Sequence, residues 1–125
     1  SRLLPSTKIV PLWTQQAGIN ASLPFPTTVT VVGMGPDGHI ASIFPGRPRD
    51  IFENKPFYVD GAPKPPAERV SLPIKYLLST DRLILLVSGQ DKLTLCEEVL
   101  SGAHHDLPLF HLIQSATNIE IHTTP

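Results

Sequence analysis

Apolar residues run through this chain in short blocks, and their spacing changes from one block to the next. Residues 28–35 (TVTVVGMG) are β-branched and apolar on both faces, the pattern of a strand buried in a parallel sheet, and residues 82–89 (RLILLVSG) form a second such run. Residues 118–124 (NIEIHTT) alternate as a last strand, while FYVDG (57–61) and RVSL (69–72) are long enough only for short ones. Helical spacing is clearest over 90–102 (QDKLTLCEEVLSG), where Leu93, Cys96 and Leu100 share one stripe and Gly102 supplies a stop. Shorter helices are predicted over 73–80 (PIKYLLST), with proline in the first turn, and over 108–116 (PLFHLIQSA). A weak helix broken at Pro11 is predicted over 6–17, a loop over 18–27, at most two helical turns over 37–44 (DGHIASIF), and a loop over 45–56. Strands alternating with helices predict an α/β layer fold whose sheet is mostly parallel and flanked by helices.

Composition narrows the picture in three ways. Fourteen prolines in 125 residues keep the elements short, yet 41% hydrophobic content suits a folded domain or part of one. A formal net charge of -1 removes the basic footprint of a nucleic-acid binder, while ten Lys and Arg leave cations enough for a small anionic ligand. The only cysteine, Cys96, allows no internal disulfide, which suggests a reducing, cytoplasmic setting, and its helical position suggests a buried structural thiol. No apolar run approaches the roughly 18 residues of a membrane-spanning helix, and no repeat is visible.

Candidate chemistry gathers where the first apolar run ends, in VVGMGPDGH (31–39). Gly33, Gly35 and Gly38 stand at the spacing of a dinucleotide loop, but such a loop needs a long helix behind it. Pro45-Gly46 cuts any helix short, and Pro36 removes a backbone N–H that pyrophosphate would need. A plain turn with Asp37 capping a short helix explains the glycines and the aspartate, but leaves His39 without a role. A histidine at the C-terminal end of a strand stands where open α/β sheets bind ligands, and imidazole is the usual general base at neutral pH. His104, His105, His111 and His122 lack the Cys or carboxylate spacing of a metal centre and are expected at loops and the surface; Trp13 is expected in packing.

GMGPDGHIASIFPG (33–46) resembles the signature G-x-G-x-D-G-H-x-A-S-L-F-P-G of the 6-phosphogluconolactonases. PKPPAERVSLP (63–73) resembles that family's proline-rich segment leading to an arginine, and SGQDK (88–92) its strand-end glycine followed by a lysine. The resemblance spans roughly residues 28–121 and implies a sugar-phosphate isomerase/deaminase-like, Rossmann-like layer fold. It implies hydrolysis of 6-phosphogluconolactone without cofactor or metal. His39 would be the base that activates water, Asp37 would steady it, and Gly35 and Gly38 would shape the pocket. Arg69 and Lys92 would meet the anionic substrate. Without the family, Arg69 reads rather as a surface partner of Glu68 or Asp60, while Lys92 opposes the dipole at a helix start unless an anion lies near. Departures are Pro36 in place of a common acidic residue and Ile43 in place of leucine.

Family members are about twice this length and carry a glycine-serine phosphate loop and a second arginine segment in their first half. Residues 1–125 are therefore expected to be the C-terminal portion of one such domain, weakly active or inactive alone and prone to self-associate. Two other readings stand beside the lactonase. One is a deaminase or isomerase relative, although its motif usually continues Asn-Glu-Pro where this chain has Ser42-Ile43-Phe44-Pro45. The other is a non-catalytic module that has kept the fold.

Overall fold

The computed structural model describes residues 6–125. Its centre is a three-stranded parallel sheet in the order β3 (Thr27–Gly33), β6 (Thr80–Ser88), β7 (Ile119–Thr124). The two apolar runs lie side by side, Val31 opposite Ile84 and Gly33 opposite Leu86, and the alternating C-terminal segment pairs on the far edge of β6. Two small antiparallel pairs accompany this sheet: β1 (Trp13–Thr14) with β2 (Gly18–Ile19), and β4 (Phe57–Val59) with β5 (Arg69–Ser71).

Among the described residues four helices fill the connections: α1 (Pro48–Ile51), α2 (Ile74–Leu78), α3 (Gln90–Leu100) and α4 (Pro108–Ser115). The core lies on one face of the sheet, where Leu83, Leu85 and Val87 of β6 meet Ile74 and Leu77 of α2, Cys96 and Val99 of α3, and Leu109 and Leu112 of α4. Truncating a fully buried member such as Leu85 costs about 2–5 kcal/mol, because removed contacts and residual cavity add. Burial pushes the Cys96 thiol up from its ordinary pKa, with Glu97 adding to the effect.

Five expectations change. The segment 6–17 holds no helix: Trp13 faces Ile19 across a small hairpin, and Thr14 Oγ1 accepts the Ala17 N–H at 3.1 Å. Pro11 removes one helical donor, and Gly18 at φ +69° completes the reversal. Trp13 is 45% exposed and is not a core residue. Strand β3 is covered on one face only, since Val29 and Val31 remain exposed together with Leu86 of β6. The stripe of α3 also rotates by one position: Cys96 and Val99 are buried while Leu100 faces out. Finally, the loop 45–56 contains the single turn α1, started by Pro48 in its first position.

Candidate active site

Strand β3 ends at Gly33, and the chain then turns back on itself instead of entering the expected helix over 37–44. The Gly35 N–H donates to the His39 carbonyl and the Gly38 N–H to the Gly35 carbonyl, each at 3.0 Å. Ile40 and Ile43 then bond each other reciprocally, at 3.2 and 2.8 Å, around Ala41 in the left-handed region. Both isoleucines are fully buried, and this anchoring outweighs the weak helical pattern. The Gly38 carbonyl accepts the Leu109 N–H at 3.1 Å, so the turn is seated on the first turn of α4.

Within this turn Asp37 has a role other than helix capping. Its Oδ1 accepts the backbone N–H of His39 at 3.1 Å and the Nδ1–H of the same residue at 2.6 Å. Partial burial opposes ionisation of Asp37, but the hydrogen bonds from the His39 backbone and ring outweigh it, and the carboxyl pKa lies below its ordinary value. A carboxylate on Nδ1 fixes the imidazole tautomer that leaves a lone pair on Nε2. Nε2 has no hydrogen-bond partner among the described residues, and the His39 side chain is 25% exposed. The pair is thus a base held from behind and open in front.

Gly35 makes the arrangement possible. A Cβ added there would collide with Cε1 and Nδ1 of the His39 ring and stand 2.7 Å from Asp37 Oδ1. Gly38 adopts φ +88°, and a Cβ on it would meet Leu107 Cδ1 at 2.8 Å. Both amides are engaged inside the turn, so these glycines contribute space and shape.

Arg69 reaches the same site from β5. Its guanidinium carbon lies 5.2 Å from the centroid of the Phe44 ring, and the His39 ring lies 4.8 Å from that ring at a 42° tilt. Neither Glu68 nor Asp60 pairs with Arg69. Its Nε donates to the Pro66 carbonyl at 3.0 Å and its Nη2 to the Lys64 carbonyl at 2.9 Å, while Nη1 has no partner among the described residues. The proline-rich stretch therefore serves as a row of carbonyls that orients the arginine. Arg69 also lines an open cleft of about 480 Å³ with Leu12, Trp13, Tyr58, Glu68 and Val70.

Lys92 stands apart from this cluster. It lies in the first turn of α3, beyond the C-terminal end of β6, and its ammonium makes no ion pair among the described residues. Its backbone N–H is held by Asp91 Oδ1 at 2.9 Å. Of the other histidines, His104 bonds Glu98 at 2.8 Å and His122 approaches Glu120 at 3.4 Å, both in the open. Sequence reasoning assigned no role to Phe44, whose ring lies against a histidine five positions back and an arginine carried by β5.

A parallel α/β sheet thus carries a carboxylate-backed histidine where β3 ends, with an oriented arginine against the same aromatic ring. The family model for glucosamine-6-phosphate isomerases/6-phosphogluconolactonase matches residues 14–121, and the chain belongs to that family. The 6-phosphogluconolactonase of Caulobacter vibrioides is 38% identical over 89 residues, covering 66% of this chain and 38% of the relative. A chloroplastic protein of Oryza sativa, named as a probable 6-phosphogluconolactonase, is 41% identical over 75 residues, 58% of this chain and 23% of its own length. The crystal structure of 6-phosphogluconolactonase from Thermotoga maritima superimposes with a TM-score of 0.64 at 26% identity, covering 77% of this chain and 42% of that one. This chain thus spans less than half the length of these relatives. No helix among the described residues is long and apolar enough to cross a membrane.

Proposed function

We propose that this chain carries the catalytic base of a lactonase that hydrolyses 6-phosphoglucono-1,5-lactone to 6-phosphogluconate. The observation that carries the reading is the 2.6 Å bond from His39 Nδ1–H to Asp37 Oδ1, which leaves Nε2 as a free acceptor at a strand end. In the proposed reaction a water proton passes to Nε2 as the oxygen attacks the lactone carbonyl carbon. The tetrahedral intermediate collapses with cleavage of the ring C–O bond, and the proton on Nε2 goes to the departing ring oxygen. Asp37 stabilises the imidazolium formed in between. Arg69, with Nη1 free, and Lys92, from the neighbouring strand end, supply positive charge to the phosphate and to the developing oxyanion. Protein donors and a base suffice for a strained ester, so the reading calls for no cofactor or metal. The deaminase reading gains no support from Ser42-Ile43-Phe44-Pro45, and nothing specific favours a non-catalytic module.

The test is lactone hydrolysis by the full-length protein bearing this segment. His39→Ala is expected to lower kcat by about 10²–10⁴-fold, the usual contribution of a general base; an unchanged rate overturns the assignment. The 125 residues alone are expected to turn over weakly or not at all and to self-associate through the open face around Val29, Val31 and Leu86. Brisk turnover by a purified monomer of this length contradicts that part of the reading. A reducing, cytoplasmic setting is in keeping with the single buried, unpaired cysteine.

A further inference from the structure

We infer that Phe44 is a positioning residue: its buried ring is the shared surface that sets the imidazole of His39 and the guanidinium of Arg69 relative to one substrate. This inference rests on the lactonase reading of His39.

Phe44 is the one buried aromatic side chain among the described residues, at 2% exposure. Burial alone would make it a core residue, yet it is absent from the hydrophobic cluster formed by the sheet and helices α2, α3 and α4. Its ring lies beside the pair of side chains with chemistry, the His39 ring at 4.8 Å and the Arg69 guanidinium at 5.2 Å.

Both neighbours are also held by other groups. Asp37 holds His39 through Nδ1, and the carbonyls of Lys64, Pro65 and Pro66 hold Arg69 through Nη2 and Nε. The Phe44 backbone is fixed too. Ile43 beside it is bonded to Ile40, and the Ser42 N–H donates to Ser71 Oγ at 3.1 Å. That hydroxyl in turn donates to the Leu72 carbonyl at 3.0 Å, next to the strand that carries Arg69. The ring therefore joins two preformed half-sites that are 30 residues apart in sequence. Its π-face attracts positive charge, so it also eases formation of an imidazolium near a permanent guanidinium. An aliphatic side chain of similar bulk fills the space but supplies neither effect.

The experiment compares Phe44→Leu and Phe44→Tyr in the full-length protein, with thermal unfolding confirming that each is folded. Phe44→Leu is expected to lower kcat roughly 10- to 100-fold, as for a misplaced catalytic group, and to raise KM. Phe44→Tyr, which keeps the ring, retains most of both. In the His39→Ala background Phe44→Leu is expected to leave the residual kcat unchanged while still raising KM. Losses in kcat that simply multiply overturn the inference. Should Phe44→Leu fail to fold, Phe44→Met carries the same cycle. A second readout is independent of activity: in NMR spectra the carbon-bound ring protons of His39 are displaced by the Phe44 ring current, and Phe44→Leu removes that displacement. If His39→Ala is fully active, the lactonase reading fails while the ring-current result still tests the contact. If His39→Ala is inactive and Phe44→Leu changes neither kcat nor the proton shifts, the role of Phe44 fails by itself.

Discussion

Strands β3 and β6 run side by side and leave the sheet at the same edge, but their exits are built in opposite ways. From Ser88 the chain passes through Gly89 directly into α3, whose first turn closes with the Leu93 N–H on the Gly89 carbonyl at 3.1 Å. From Gly33 it enters fourteen residues without a helix, held by the 35–39 and 40–43 turns, the Asp37 carboxylate and the Ser71 hydroxyl. The regular exit continues directly into a helical ladder, with Asp91 Oδ1 accepting the Lys92 N–H, and it presents the cation Lys92. The irregular exit depends on side chains for its shape, and those side chains bring a base, an aromatic ring and, through β5, an arginine together. Chemistry concentrates where the backbone cannot complete its hydrogen bonds by repetition.

The sharpest way to break this contrast is Gly35→Ala, because its Cβ would occupy the volume of the His39 ring. Lactone hydrolysis by the full-length variant should fall by about 10²–10⁴-fold, the whole contribution of the base, and crystallography should show the imidazole displaced. Asp37→Asn comes next: it keeps the turn acceptor but loses the charge that stabilises the imidazolium, and kcat should drop on the order of 100-fold with KM little changed. At the regular exit Lys92→Met should act mainly on binding, raising KM about tenfold, roughly 1.4 kcal/mol, with kcat within a fewfold of the parent. A large kcat loss from Lys92→Met would place that lysine among the groups that meet the reacting carbonyl.

The smallest effect concerns acid stability. Hydrogen bonds from Arg82, with a lesser one from His122, lower the Glu120 pKa to about 2 from an ordinary 4.5. A carboxyl with a depressed folded-state pKa contributes stability that is complete above the unfolded value and is lost as pH falls through the folded value. Asp37, also depressed, acts in the same direction at the irregular exit. Glu120→Gln should therefore lower Tm slightly at neutral pH and flatten its decline between about pH 4.5 and 2, measured by calorimetry. Because the pair is exposed, the shift should be small.

These contrasts also explain what could be read in the sequence. The strands at 27–33 and 80–88 were legible because unbroken apolar runs leave few alternatives. His39 stood out by its place at a strand end, but the residues alone read Asp37 as a helix cap and Gly35 as a turn glycine. Their place around the imidazole came through family resemblance, although it is decided within five residues. The hairpin at 13–19 was not, since its cross-strand pairing of Trp13 with Ile19 has no signature in helical spacing. The exposure of one face of β3 was hidden for a different reason: sequence marks a side chain as apolar without showing what covers it. Arg69 was legible only through family resemblance, and its carbonyl row and its stacking on Phe44 depend on tertiary contacts across the chain.

Cys96 gives the fold its own clock. At 1% exposure, with burial raising its pKa, the sole thiol is screened from reagents while α3 stays docked on β6. Its rate of modification by a disulfide reagent therefore counts the openings of this helix–sheet unit, much as amide exchange does, and ligand that tightens the neighbouring strand exits should slow the count.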